Sequence, residues 1–155
     1  MLLVINLIIY CLILSIYLYF TLAVNPRIWM HRMPQAVIDK VEQRTKREKK
    51  LLVLLGIPFI IFTALYPFIY VFINYDELFD IIIIFFIFFL TFDIWDTLIL
   101  DLLIFCTITP RFMIINGTQK EDYSNKRYHI ISGVKGILIS VVMSILFGFI
   151  LYFIK

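Results

Sequence analysis

Four apolar runs, each long enough to cross a bilayer, constrain this chain more than any other feature: residues 2–24, 51–74, 79–108 and 129–154. A helix rises about 1.5 Å per residue, so about 20 apolar residues span a hydrocarbon layer of about 30 Å. The first run contains no charged residue. It also lacks a basic leader, and it exceeds the roughly 7–15 apolar residues of a signal peptide, so it is expected to stay as a span. Composition leaves little alternative. The chain is 63% hydrophobic and 16% charged, whereas soluble domains run at about 45–50% and about 25%. So short a chain has no core large enough to hide that much apolar surface from water. The prediction is an all-α membrane protein, an antiparallel four-helix transmembrane bundle forming a single domain over residues 1–155.

The breaks between runs are chemically distinct. Pro26 ends the first, because proline lacks an amide donor and disfavours a helical predecessor. The loop over residues 25–50 carries eight Lys/Arg, and that over 109–128 carries four. The connection Tyr75-Asp76-Glu77 and the segment before the first span carry none. Basic loops mark the cytoplasmic side. The expected location is therefore the cell (inner) membrane, multi-pass, with both basic loops inside and both termini outside. A short interfacial helix is expected after Pro34, with Val37, Ile38 and Val41 on one side and Glu42 spaced to pair with Lys46. Thr45-Lys46-Arg47-Glu48 has the form of a capping box opening the second span. Pro58 and Pro67 should kink that span, with neighbouring helices meeting the freed carbonyls.

The third span holds Asp93, Asp96 and Asp101. A charge at the centre of a membrane helix costs roughly 2.5–3.5 kcal/mol on insertion scales. The eleven strongly apolar residues between Ile81 and Phe92 offset this by roughly 3–7 kcal/mol. At about 100° per residue the three carboxylates share an arc of about 140°, which must face the bundle interior, a partner or water. By rise alone Asp93 lies about 21 Å and Asp101 about 33 Å along the span from Phe79. Asp101 is placed to pair with Lys135 or Arg111. Asp93 and Asp96 have no basic residue at matching depth in the first two spans. Close carboxylates repel unless a proton or a cation is shared between them, so Asp93, Asp96 and Asp101 form the candidate cation- or proton-binding site. His31 and His129, each beside a basic helix end, and Lys135 are candidate accessory residues.

Other residue types argue for packing. Ser132, Gly136, Ser140, Ser144 and Gly148 recur every fourth position of the fourth span, a face that lets another helix approach closely. Cys11 and Cys106 sit in apolar runs without a partner spacing and read as packing residues. Asn116-Gly117 reads as a tight turn. There is no Ser-His-Asp ordering, Gly-rich phosphate loop or metalloprotease helix in the chain.

Asp96 and Asp101, then Phe105-Cys106, Pro110, Gly117-Thr118, Tyr123, His129 and Gly133 with Gly136 resemble a group of small prokaryotic four-helix integral membrane proteins. There a helix with spaced aspartates leads to Phe-Cys, Pro-Gly-Thr-Glu and a later Tyr and His. The resemblance covers about a quarter of the chain and departs at Asn116 and Gln119, where Pro and Glu are the pattern. It implies the four-helix architecture and points to these residues without naming a reaction.

Three functions follow in order. The first is a membrane protein with an acidic intramembrane cation- or proton-binding site, coupled to transport. The second is a metal-dependent enzyme acting on lipid head groups, with a divalent cation as the candidate cofactor. The third is a structural or accessory subunit. The expected partner is the lipid bilayer, with a second copy or a partner membrane subunit as alternatives. A net charge of +3 gives no ground for nucleic acid.

Overall fold

The computed structural model describes residues 1–155, and every regular element in it is helical. The four spans are α1 (Leu2–Val24), α3 (Lys46–Asn74), α4 (Leu78–Trp95) and α5 (Lys126–Ile154), and α4 runs on as a π-helix over Asp96–Ile108. Each is long and apolar enough to cross a membrane. The chain is a multi-pass membrane protein of the all-α, four-helix class.

Two antiparallel pairs set the register. In the first, the Tyr66 hydroxyl donates to Asn6 Oδ1 at 2.9 Å, Tyr10 to the Thr63 carbonyl at 3.0 Å and Tyr17 to the Leu55 carbonyl at 2.9 Å. These bonds fix α1 against α3, and that of Tyr10 has a backbone cause. Pro67 has no N–H, so the carbonyl four residues earlier, that of Thr63, loses its helical donor. Tyr10 supplies one. Pro58 likewise frees the carbonyl of Leu54, next to the Leu55 carbonyl that Tyr17 binds. In the second pair α5 lies along α4, its most extensive neighbour, while scarcely touching α3. Gly148 meets Ile82, Gly136 meets Asp93 and Gly133 meets Thr97.

The core fills the half of the bundle nearer the Tyr75–Glu77 connection. Tyr10, Leu14, Val71, Ile81, Phe85, Phe88 and Leu151 are buried there. At that end Lys155 pairs with Asp76 and donates to the Tyr75 carbonyl at 2.8 Å.

Several boundaries differ from the sequence expectation. The capping box forms, with Thr45 Oγ1 accepting from Glu48 N–H and Glu48 reaching back to Thr45 N–H, so α3 starts at Lys46 rather than Leu51. Asn125 caps α5 at Lys126, ahead of His129. The interfacial helix expected after Pro34 is a single turn, α2 (Gln35–Ile38), with Val37 buried, and it does not extend to Val41. A 3-10 helix over Pro26–Arg32 precedes it. Glu42 does not pair with Lys46; its carbonyl instead accepts from Arg27, whose guanidinium also holds Glu48 at 2.6 Å. One arginine thereby ties the first loop to the start of α3.

The two basic loops form one cap. Met33 and Val37 from the first pack with Ile115 and Tyr123 from the second, and Lys40 pairs with Asp122 at 2.7 Å. The Tyr123 hydroxyl, fully buried, accepts from Ile115 N–H at 3.0 Å and bonds Thr118 Oγ1 at 2.9 Å. Gly117 has φ +92°, a left-handed turn that glycine adopts freely.

Candidate functional site

Between the aromatic core and the basic cap lies a cavity of about 610 Å³, bounded by all four spans. Asp93, Asp96, Asp101, His129, Lys135 and Arg32 all lie on its wall. The remaining wall is mostly hydrophobic, with Trp29, Phe59, Phe92 and Phe147 among its aromatic residues.

Asp93 lies in the last turn of α4, whereas Asp96 and Asp101 stand on an unusual backbone. From Asp96 to Ile108 the chain is a π-helix, ending where Thr109 N–H donates to Ile104 O at 2.7 Å. π-Helical geometry mostly occurs as single turns, often at functional sites, and its i→i+5 bonding widens the turn. Residues five apart, such as Asp96 and Asp101, come nearer to one face than on an α-helix. The arc of about 140° drawn at α-helical pitch therefore overstates their separation. Thr109 closes the segment at φ +47°, a left-handed conformation uncommon for a β-branched residue.

Asp101 takes a partner other than those expected. Its Oδ2 lies 3.0 Å from His129 Nδ1, so neither Lys135 nor Arg111 pairs with it. His129 is 2% exposed, and its Nε2 is buried with no hydrogen-bond partner. The geometry is that of a carboxylate orienting an imidazole through Nδ1, which leaves Nε2 as the reactive nitrogen. Phe105 and Tyr128 flank the ring.

Asp93 and Asp96 take no part in any of the chain's ion pairs. Asp93 packs its carboxylate onto the backbone of α5 at Gly136, where an added Cβ would stand 2.6 Å from Asp93 Cγ. Thr97 packs likewise on Gly133, at 3.1 Å from its Cγ2. These contacts put Lys135 at the depth of Asp93 and Thr97, yet Lys135 is exposed and pairs with no acid. The level of Lys135 relative to Asp93 depends on the register of α5 on α4, which neither span carries alone.

Along α5, Ser140 and Ser144 are buried and Gly148 sits against Ile82, so the neighbour of the small-residue face is α4 of the same chain. Ser132, at its start, lines the cavity. His31 stands apart from the carboxylates. It stacks on Trp29 with ring centroids 6.0 Å apart and faces Arg44 Nη1 at 3.3 Å. Desolvation, then the charges of Arg44 and Arg32, hold its pKa below the ordinary imidazole value. Cys11 and Cys106 are free and buried.

No group of three or more His, Cys, Asp or Glu side chains converges closely enough to hold a metal ion. The arrangement instead suits proton exchange, with one oriented imidazole and two carboxylates free of basic partners beside a cavity.

No family model, curated protein or solved structure matches this chain.

Proposed function

We propose that this is a membrane protein whose acidic cavity binds a proton or a monovalent cation and couples that binding to transport. One observation carries the reading: Asp93 and Asp96 line an intramembrane cavity with no basic partner. Ionisable residues within a membrane mark ion or proton pathways when they face a cavity rather than lipid. The Asp101–His129 pair adds a proton acceptor at the basic end of the same cavity. In this reading the basic loops face the cytoplasm, so the site loads from that side, in the cell membrane. A membrane-impermeant thiol reagent should label a cysteine placed at Asp76 in intact cells; labelling only after permeabilisation reverses the orientation.

The deciding measurement is thermal unfolding of wild type and Asp93→Asn across pH, with and without Na⁺ or Mg²⁺, beside infrared titration of the carboxyl band. A site that exchanges protons makes the wild-type Tm pH-dependent, and the amide variant, which keeps the shape, loses part of that dependence. A large stability loss in the variant without pH or ion dependence overturns the proposal and assigns the aspartates a structural role.

A second reading, acid–base chemistry on lipid head groups, is favoured by the shape of the wall. Ile60 of α3 and Ile139 of α5 line the cavity while lying 67% and 61% exposed on the outer surface.

A further inference from the structure

Side chains of both charge signs line the same cavity, and only Asp101 and His129 among them pair. The acids Asp93, Asp96 and Asp101 all come from the α4–π-helix arm, whereas the bases Lys135 and Arg32 come from α5 and from the 3-10 helix over Pro26–Arg32. Neither Lys135 nor Arg32 forms an ion pair, and neither does Asp93 or Asp96. The α4–α5 register holds Lys135 level with Asp93 and Thr97. An unpaired lysine at that depth is expensive unless it faces a cavity or a counter-charge. His129, 2% exposed on the same wall, leaves Nε2 without a partner. Unmatched groups of both signs call for a ligand that carries both.

The walls specify the rest of that ligand. A volume of about 610 Å³ falls within the roughly 300–1,000 Å³ of small-molecule sites. Most of the lining is hydrophobic. Where α5 scarcely touches α3, Ile60 and Ile139 belong both to the cavity and to the exposed face of the bundle. In a membrane-spanning chain that face meets acyl chains, so a lipid can present its head group sideways between the two helices.

We infer that the cavity receives the zwitterionic head group of a membrane lipid between α3 and α5, with its phosphate at Lys135 and Arg32 and its ammonium at Asp93 and Asp96. A purely anionic head would face the carboxylates and a purely cationic one the lysine, and the zwitterion answers both. The inference rests on the reading of Asp93 and Asp96 as carboxylates without basic partners, and it adds the occupant.

The test uses the purified full-length chain in lipid-free detergent at one pH, with thermal unfolding as the readout. The probes are phosphatidylethanolamine, phosphatidylglycerol (phosphate without amine), diacylglycerol (neither charge) and soluble phosphoethanolamine (head without tails). Phosphatidylethanolamine at about a hundredfold over its Kd should raise the Tm by about 5–10 °C, phosphatidylglycerol less and diacylglycerol least. Lys135→Gln should reduce the phosphatidylethanolamine shift to that of diacylglycerol, and Lys135→Arg should restore it. Asp96→Asn should reduce it to that of phosphatidylglycerol. Arg32→Gln, on an exposed side chain, gives a second variant that does not threaten the fold. Equal shifts from all three lipids, a larger shift from phosphatidylglycerol, or no shift at all overturns the inference. A full shift from soluble phosphoethanolamine overturns the lateral route and leaves a free head group as the ligand. The lipid-free pH titration of the carboxyl band reports separately on proton binding, so a failure there is distinguishable from a failure here.

Discussion

The carboxylate of Asp93 occupies the space that a side chain at Gly136 would need. A membrane helix thus brings an ionisable group into direct contact with the backbone of its neighbour, at the one residue type that leaves room. Gly136→Ala should force Asp93 to move and destabilise the bundle by about 1–3 kcal/mol, the usual range for overpacking. Asp93→Ala in the same chain should recover most of that loss, because the two changes share one volume. Chemical or thermal denaturation of the two single variants and the double variant measures the coupling, and simple additivity would refute the contact.

The Tyr10 hydroxyl serves a carbonyl that Pro67 has deprived of its donor. Tyr10→Phe should cost about 1–3 kcal/mol, the penalty for leaving a buried polar group unsatisfied. In a Pro67→Ala background the helical N–H returns, and the same substitution should cost much less. Equal losses in both backgrounds would mean that the ring, packed edge-on to Phe88 at 5.4 Å, matters and the hydroxyl does not.

Asp101 fixes the hydrogen on His129 at Nδ1 when the imidazole is neutral, given the 3.0 Å contact. Nitrogen-15 NMR of histidine-labelled protein should show one Nδ1–H tautomer in wild type. Asp101→Leu should release it to a mixture or to Nε2–H. An unchanged tautomer in that variant would remove the orienting role given to Asp101.

At His31 the pKa is lowered by desolvation, then by Arg44 and Arg32. The unfolded chain, titrating near the ordinary value of about 6.5, then binds more protons than the folded one. Stability should therefore rise with pH between the folded pKa and about 6.5, and level off above. The effect should be small, because the ring is partly solvated, and His31→Gln should remove it. Unfolding curves taken from pH 5 to 8 test the sign; stability that falls with rising pH over that window, and loses the trend in His31→Gln, would reverse the assignment.

The sequence by itself determined every feature that depends on a short stretch of chain. Hydropathy over about 20 residues decides insertion, so the four spans were legible, as were the capping box at Thr45 and Glu48 and the turn at Gly117. The aspartates stood out because charge is rare in such runs, and the spacing of Gly136, Ser140, Ser144 and Gly148 marked a close-packing face. What those residues touch was decided only by the tertiary structure. A helical wheel assumes α-helical pitch, so it could not anticipate the π-helix that regroups Asp96 and Asp101. Proline in a span announces a free carbonyl but not which neighbour answers it, and Tyr10 answers Thr63 from 53 residues away. The apolar side of the first basic loop, at Val37, is legible in the sequence, but its packing with Ile115 and Tyr123 of the second loop is not. The choice of His129 rather than Lys135 for Asp101 turned on how far α5 is shifted along α4. That shift is set by where glycines let two backbones approach, a property of the pair of helices that neither sequence segment carries alone.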